Sequence, residues 1–294
     1  MATQTKTHRD VYAIITDKII EQLEKGTVPW QKPWSGCGIP TNLISKRPYR
    51  GINVMLLSMQ GYEHNLFLTS KQLKEIGGSI KPEERPHLVV YWNYIEKEAE
   101  DEEEKEKKKK PMLRYYTVFN IAQCDNIPSD MIPSILRVAK PDATCKLIIN
   151  GMPQKPRIQH KEQEAYYNPL RDYINMPKQN SFVSDDAYYA ILFHELVHST
   201  GHHSRLDRKD LIQMAEFGSE PYSHEELVAE IGSCYLQSHG GIATQLEQSA
   251  AYIKGWLDVF RGDRRFIFSA STAAQKAVDF ILDIQPDTDD SSQG

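Results

Sequence analysis

Two histidines and a glutamate in the stretch Ser184 to Arg205 have the spacing of a metal site. His194, Glu195 and His198 form the pattern H-E-x-x-H. On a helix, positions four residues apart lie on one face, so both imidazoles can bind one metal ion. Glu195 is offset by about 100° around the helix axis, which suits a base for a metal-bound water better than a third ligand. The pattern predicts metal-assisted hydrolysis, with Zn²⁺ expected and another divalent metal as the alternative.

A buried helix is predicted to position these side chains. Ser184 is a predicted N-cap, and Asp185 and Asp186 follow in the first turn, where the helix dipole favours negative charge. Apolar residues then recur at helical spacing as far as Val197. Gly201 is the predicted end of the helix.

A third protein ligand is needed, because catalytic zinc takes three and leaves one position open. The longer pattern H-E-x-x-H-x-x-G-x-x-H would supply a histidine, but Ser204 stands at that position. A second predicted helix, residues 223–239, offers Glu226 and Glu230 one turn apart. One carboxylate could bind the metal while the other orients a ligand histidine. However, Ser223-x-x-Glu226 is also typical of a capping box, which would leave the ligand role to Glu230.

This second helix resembles that of the glutamate-type zincins, which carries E-x-x-x-D or E-x-x-A-D. The resemblance implies that Glu226 binds the zinc and that Glu230 supports the site from outside. For the residue that stabilises the oxyanion, three candidates stay open, namely Tyr222, His224 and His239.

Length and composition fit a soluble globular protein with room for two domains. The chain has 294 residues, 40% hydrophobic and 26% charged. No apolar run approaches the ~18 residues of a membrane span, and the N-terminus turns helical and acidic too soon for a signal peptide. The four cysteines are scattered and form no C-x-x-C, which favours free thiols in a reducing cytoplasm. We therefore expect a cytoplasmic protein without a membrane partner.

Charge is distributed unevenly along the chain. The net charge is −5, which by itself argues against nucleic-acid binding. Residues 1–125, however, hold 19 Lys/Arg and 17 Asp/Glu, while residues 126–294 hold 16 and 23. The charged run 96–110 is too polar to pack and is predicted to be a solvated hairpin loop. The modest basic bias of the first half permits nucleic-acid binding without requiring it.

The periodicity predicts the elements that surround the H-E-x-x-H helix. In the first half we expect a helix at 10–25 that stops at Gly26, a strand at 67–70, and a strand pair at 87–94 and 113–120. In the second half we expect strands at 145–149 and 172–176 and closing helices at 250–260 and 271–282. A strand edge before the metal helix could hold an extended peptide by main-chain pairing.

The first half also interleaves basic and aromatic residues, the two kinds of group that hold single-stranded nucleic acid. The aromatic candidates are Trp30, Trp34, Tyr49 and Tyr62, and the polar ones are Lys32, Lys46, Arg47, Arg50, Asn53 and Lys71. The alternative is that the tryptophans anchor the core or a turn. The residues alone do not decide between these interpretations.

Several motifs together resemble the ArdC antirestriction family, over residues 8–282. In the first half these are P-W-x-x-P-W at 29–34 and Y-R-G-I-N at 49–53. In the second half they are H-E-L-x-H-x-T-G-H-x-S-R-L-x-R at 194–208 and E-E-L-V-A-E-I-G at 225–232. The resemblance implies a bacterial mobile-element protein in which a single-stranded DNA-binding domain is fused to a zincin-like metallopeptidase domain. It implies protection of incoming DNA from restriction, and the run 96–110 looks like an insertion.

We therefore expect an α+β protein of two domains. Residues 8–125 form the DNA-binding domain, 126–141 a linker, 142–283 the zincin-like domain and 284–294 an acidic tail. Three functions remain open: an antirestriction protein with an active peptidase site, a single-stranded DNA-binding protein whose metal is structural, and a protein that binds and inhibits restriction enzymes. The expected partners are single-stranded DNA and either a protein substrate or a host restriction enzyme.

Overall fold

The computed structural model describes residues 10–30, 38–96, 109–133, 141–212, 220–242 and 250–285. Its mixture of helices and sheets confirms the α+β class. The helices are α1 Val11–Glu24, α2 Ile52–Ser58, α3 Ser70–Glu75, α4 Pro141–Gly151, α5 Asp185–Thr200, α6 Lys209–Ile212, α7 Glu220–Gly240, α8 Ala250–Gly262 and α9 Phe266–Ile281. The strands are β1 Thr41–Asn42, β2 Leu66–Leu68, β3 Ser79–Ile80, β4 His87–Glu96, β5 Lys109–Asn120, β6 Cys124–Asp125, β7 Arg157–Gln159, β8 Tyr166–Asn168 and β9 Tyr173–Asn175.

The first half combines α1 with a four-stranded sheet in the order β1-β2-β5-β4. Asp10 caps α1 by accepting a hydrogen bond from the Tyr12 N–H, and Gly26 follows the helix with φ +77°, a conformation that favours glycine. The predicted strand pair is confirmed, because β4 and β5 pair antiparallel from His87↔Val118 to Glu96↔Lys109. Most of the predicted charged loop, residues 97–108, lies outside the described residues.

The second half places a small sheet, in the order β7-β9-β8, beside the helices α4 to α9. The predicted strand at 172–176 is confirmed as β9. It is the central strand, paired on both sides, so the expectation that its edge could hold a peptide is wrong. The predicted strand at 145–149 is wrong, because these residues belong to α4. Pro141 opens that helix, a position where proline is favoured, and Cys145 and Ile149 lie one turn apart on its buried face. The β-branched run therefore packs as a helix against the core.

The two halves share one hydrophobic core. The main cluster includes Ile15 and Ile19 of α1 together with Phe193 of α5 and Leu227 of α7. Two smaller clusters lie around the sheet of the first half. Polar contacts also cross between the halves, since the Tyr235 hydroxyl donates to the Gly51 carbonyl at 2.8 Å. The predicted domains are therefore packed together, and α5, α7 and α9 meet at their junction.

Among the described residues, no helix has the combined length and apolar character that crossing a lipid bilayer would require.

Candidate metal centre

Helix α5 carries the H-E-x-x-H residues and has the predicted cap. The Ser184 hydroxyl accepts a hydrogen bond from the Ala187 N–H at 3.1 Å, and Asp185 and Asp186 occupy the first turn. The helix ends at Thr200, as predicted, but Gly201 has φ −73° and is not left-handed. A Cβ at Gly201 would lie 3.0 Å from the Arg208 guanidinium. The absence of a side chain at Gly201 therefore allows the Arg208 guanidinium to lie close to the backbone at the end of α5.

Three donor groups converge between α5 and α7. The Nε2 atoms of His194 and His198 lie 3.0 Å apart. The Glu226 carboxylate oxygens lie 3.5 Å from His194 Nε2 and 3.6 Å from His198 Nε2. Two nitrogens that each bind a tetrahedral ion at 2.0–2.1 Å stand roughly 3.4 Å apart, so the three atoms are spaced as ligands of one ion. Two imidazoles and one carboxylate are a donor set suited to zinc and other divalent metals.

The donors lie at the edge of the core, where one side of the site remains accessible. The side chains of His194 and Glu226 are 25% and 24% exposed, while that of His198 is 7% exposed. Glu195, next to His194, is buried. Its negative charge contributes to a raised pKa of the His198 ring, although burial opposes that shift and Glu225 has the larger effect in its favour.

Glu225 and Arg208 hold His198 in place, and sequence reasoning missed both. The Glu225 carboxylate is fully buried and contacts His198 Nδ1 at 3.1 Å. Arg208 donates to both Glu225 oxygens, at 2.8 and 2.5 Å, and also to the Thr200 hydroxyl and the Val197 carbonyl. Burial alone would raise the pKa of Glu225, but the Arg208 and His198 contacts outweigh it and lower that pKa to about 2. The sequence features that could have indicated these two roles are the adjacent glutamates at 225–226 and Arg208, which ends the motif at 194–208.

The Glu230 carboxylate, one turn beyond Glu226, accepts hydrogen bonds from Trp30 Nε1, at 2.8 Å, and from the Tyr252 hydroxyl. Burial raises the pKa of Glu230, although both hydrogen bonds oppose the shift. A residue of the first half therefore contacts the helix that carries Glu226. The carboxylate that contacts a ligand histidine is that of Glu225. Glu230, which the sequence suggested for that role, contacts Trp30 and Tyr252 instead.

The capping-box alternative for Glu226 is wrong. Helix α7 begins at Glu220, so Ser223 lies inside the helix and is not its N-cap. Of the oxyanion candidates, His224 lies with Nε2 2.9 Å from the Ser269 hydroxyl. His239 lies thirteen residues beyond Glu226, about 20 Å along the helix, which is too far. The side chain of Tyr222 lies outside the described residues.

Several of the predicted DNA-binding residues that the structure describes are buried. Trp30 is fully buried and lies edge-on to Trp256 at 5.9 Å, while Tyr49 is buried against Phe67. Both fit the core-anchor alternative, because neither ring has a free face for a base. Tyr62 is half-buried and its hydroxyl lies 2.9 Å from His87 Nε2.

The polar candidates divide into two groups. Arg50 forms an ion pair with Asp279, and the Asn53 amide exchanges hydrogen bonds of 2.8 and 2.9 Å with the Val90 backbone. These two side chains hold the fold together. Lys46, Arg47 and Lys71 are exposed, while Lys32 and Trp34 lie outside the described residues.

Two family models match the chain in tandem. Residues 9–119 match the N-terminal domain of the anti-restriction factor ArdC, and residues 152–273 match a zincin-like metallopeptidase. This arrangement confirms the predicted order of two domains.

The chain is similar to one protein of about its own length and to part of a much longer one. Protein y4eC of Sinorhizobium fredii is 33% identical, over 96% of this chain and 94% of its own length. A DNA primase TraC of Escherichia coli is 36% identical over 91% of this chain. The chain spans only 26% of the length of that primase.

Two solved structures are similar over nearly the whole chain. Both are crystal structures of the antirestriction protein ArdC from the R388 plasmid. The metal-free form has a TM-score of 0.77 and 39% identity, over 94% of this chain and 97% of that one. The Mn(II)-bound form has a TM-score of 0.75 and 37% identity, over 94% and 98%.

Proposed function

The chain belongs to the ArdC family of antirestriction proteins, and on this basis we propose that it protects DNA from restriction. We propose further that it binds single-stranded DNA and carries a metal-dependent hydrolytic centre of the peptidase type. The observation that carries the second proposal is the convergence of His194, His198 and Glu226 beside the buried Glu195. The Mn(II)-bound relative supports a divalent metal here, and the two-histidine, one-carboxylate donor set favours zinc.

Each side chain around the donors has a role in this proposal. A divalent ion held there supplies an acidic water and a Lewis acid for a substrate carbonyl. Glu195 accepts the proton of the attacking water and returns it to the leaving amine. Glu225 fixes the orientation of the His198 ring through Nδ1, and Arg208 neutralises the buried Glu225 charge. This support directs the Nε2 atom of His198 towards His194 and Glu226, where it would bind the ion.

The substrate class that fits this site is an extended peptide. Strand β8 lies at the edge of its sheet, pairs on one side with β9, and packs next to α5. An extended chain can add to such an edge by main-chain hydrogen bonds. The carbonyl groups of the bound peptide would then lie next to α5, the helix that carries Glu195.

The deciding experiment separates hydrolysis from DNA protection. In Glu195→Gln the side-chain volume is kept but the base is lost, so metal content should be unchanged and peptide hydrolysis abolished. DNA protection should be largely retained, because the described residues provide no contact that makes DNA binding depend on the Glu195 charge. The measurements are metal analysis, cleavage of an unfolded protein such as casein, and survival of unmodified DNA in a restricting host.

Glu75→Gln, the same change at an exposed position on α3, is the matched control and should behave like the parent protein. Loss of protection in folded, metal-loaded Glu195→Gln would show instead that hydrolysis is the antirestriction step. Absence of peptide hydrolysis in the parent protein would contradict the peptidase proposal.

A further inference from the structure

A cavity of about 580 Å³ lies where the two halves of the chain meet, away from the three metal donors. The first half contributes Tyr12 of α1 and Trp92 of β4. The second half contributes the loop after α5 and one side of α9. The lining consists of Tyr12, Trp92, Leu206, Asp207, Arg208, Arg265, Phe268, Ser269, Thr272, Ala273 and Lys276. The volume is that of a small-molecule or single-residue site.

Aromatic rings form one wall of this cavity. Tyr12 packs against Trp92, with ring centroids 6.3 Å apart, and against Phe268, at 4.8 Å. Trp92 is nevertheless 42% exposed, which is high for so large an apolar side chain. Trp92 lies on the same face of β4 as Val90, two residues earlier, and Val90 is buried in the core. A ring that is fixed along one side and open on the other is a surface on which a planar group can stack.

Two cations lie next to this aromatic wall. The Arg265 guanidinium lies 4.9 Å from the centroid of the Tyr12 ring, a cation–π contact that holds it beside the aromatic wall. Arg265 directly precedes α9, and Lys276 follows eleven residues later, which is close to three helical turns. Both cations are therefore on the same side of this helix, about 16 Å apart along its axis. At that separation the two cations can contact different phosphates of one nucleic-acid strand. Asp207 is the acidic residue of the lining.

Arg208 also lines the cavity, but its donors are already used. It binds both oxygens of Glu225, the Thr200 hydroxyl and the Val197 carbonyl. A ligand that recruited this guanidinium would remove the support of His198. The cations that can bind a ligand without disturbing the metal centre are therefore Arg265 and Lys276.

We infer that this cavity binds single-stranded DNA, with a base stacked on the exposed indole of Trp92 and backbone phosphates at Arg265 and Lys276. The inference rests on the proposed DNA binding and moves it from the first half alone to the junction of both halves. An open aromatic face beside cations is how proteins hold single strands without reading sequence. An acidic peptide would use the two cations but would gain little from the exposed indole face.

The test measures binding of a fluorescent oligothymidylate to the full chain from roughly 50 to 200 mM salt, where phosphate contacts dominate affinity. Trp92→Leu keeps apolar contact with Tyr12 but removes the stacking face, and should weaken binding by about 5- to 100-fold. Lys276→Gln should reduce the slope of log affinity against log salt by about 0.7, the value for one phosphate contact on a single strand. Lys254→Gln is the matched control, because Lys254 is exposed on α8, which contributes no residue to the described lining.

A photocrosslink gives a second measurement that does not depend on variant stability. An oligonucleotide that carries 5-iododeoxyuridine should crosslink to Trp92 or Tyr12, identified by peptide mass spectrometry. If the parent protein binds but crosslinks around Lys46 and Arg47, and all variants match Lys254→Gln, the inference is overturned while the proposed DNA binding stands.

Displacement of the oligonucleotide by oligoglutamate, with Trp92→Leu binding DNA as the parent does, would assign the cavity to an acidic peptide and also overturn the inference. No binding of DNA by the parent protein would contradict the proposed DNA binding itself.

Discussion

Replacing Glu225 with glutamine should weaken both the fold and the metal site. The change keeps the side-chain volume but removes the charge that faces Arg208 and His198. The parent carboxylate is fully buried and accepts two hydrogen bonds from Arg208, whose side chain is 10% exposed. Removing one partner of a buried ion pair leaves the other charge uncompensated and costs about 3–5 kcal/mol of unfolding free energy.

The lowered pKa of Glu225 implies a similar contribution to the unfolding free energy. The folded protein lowers that pKa from 4.5 to about 2, and each pKa unit corresponds to roughly 1.4 kcal/mol, which makes about 3–4 kcal/mol. Because the folded pKa is below the unfolded value, this stabilisation is present above pH 4.5 and is lost as the pH falls towards 2. The stability difference between parent and Glu225→Gln should therefore be large at pH 7 and small only near pH 2.

The assay is urea unfolding of the metal-free protein at both pH values, so that metal ligation does not contribute. Glu21→Gln is the contrasting control, because Glu21 forms an exposed pair with Lys25 at 2.6 Å, and its loss should change stability little. In a chelator competition, Glu225→Gln should also bind metal about 10- to 100-fold more weakly, as expected when a group that orients a ligand is lost. Equal stability of the two proteins at pH 7, with equal metal affinity, would refute the assigned role of Glu225.

Two further predictions concern the same pair of helices. His194→Ala and His198→Ala should each lose most bound metal after gel filtration, while Glu195→Ala keeps it, because only the histidines are placed as ligands; equal metal content in all three would contradict the assignment. Trp30→Phe removes the indole N–H that Glu230 accepts and should cost about 1–3 kcal/mol in thermal unfolding. That cost should shrink in a Glu230→Gln background, and additive effects of the two changes would argue against a coupled contact.

The sequence by itself determined the elements that depend on local pattern. The cap at Ser184, the apolar spacing of α5 and the i, i+4 histidines predicted a helix that carries two ligands, and the structure has that helix. Alternating residues likewise predicted the pairing of β4 with β5. Local pattern was ambiguous at 145–149, where a short β-branched run fits a strand or a buried helix face. There, packing of Cys145 and Ile149 against the core selected the helix.

The tertiary structure alone decided which side chains act together across long sequence separations. Trp30 and Glu230 are 200 residues apart, and Arg50 and Asp279 are 229 apart. Both pairs join residues predicted for DNA binding to helices of the metal-bearing half. Sequence periodicity shows which face of a helix is apolar, but not which other element covers that face. The packing of α5 against α7 therefore determined that Glu225 contacts His198, and the packing of α7 and α8 around residue 30 determined that Trp30 is buried.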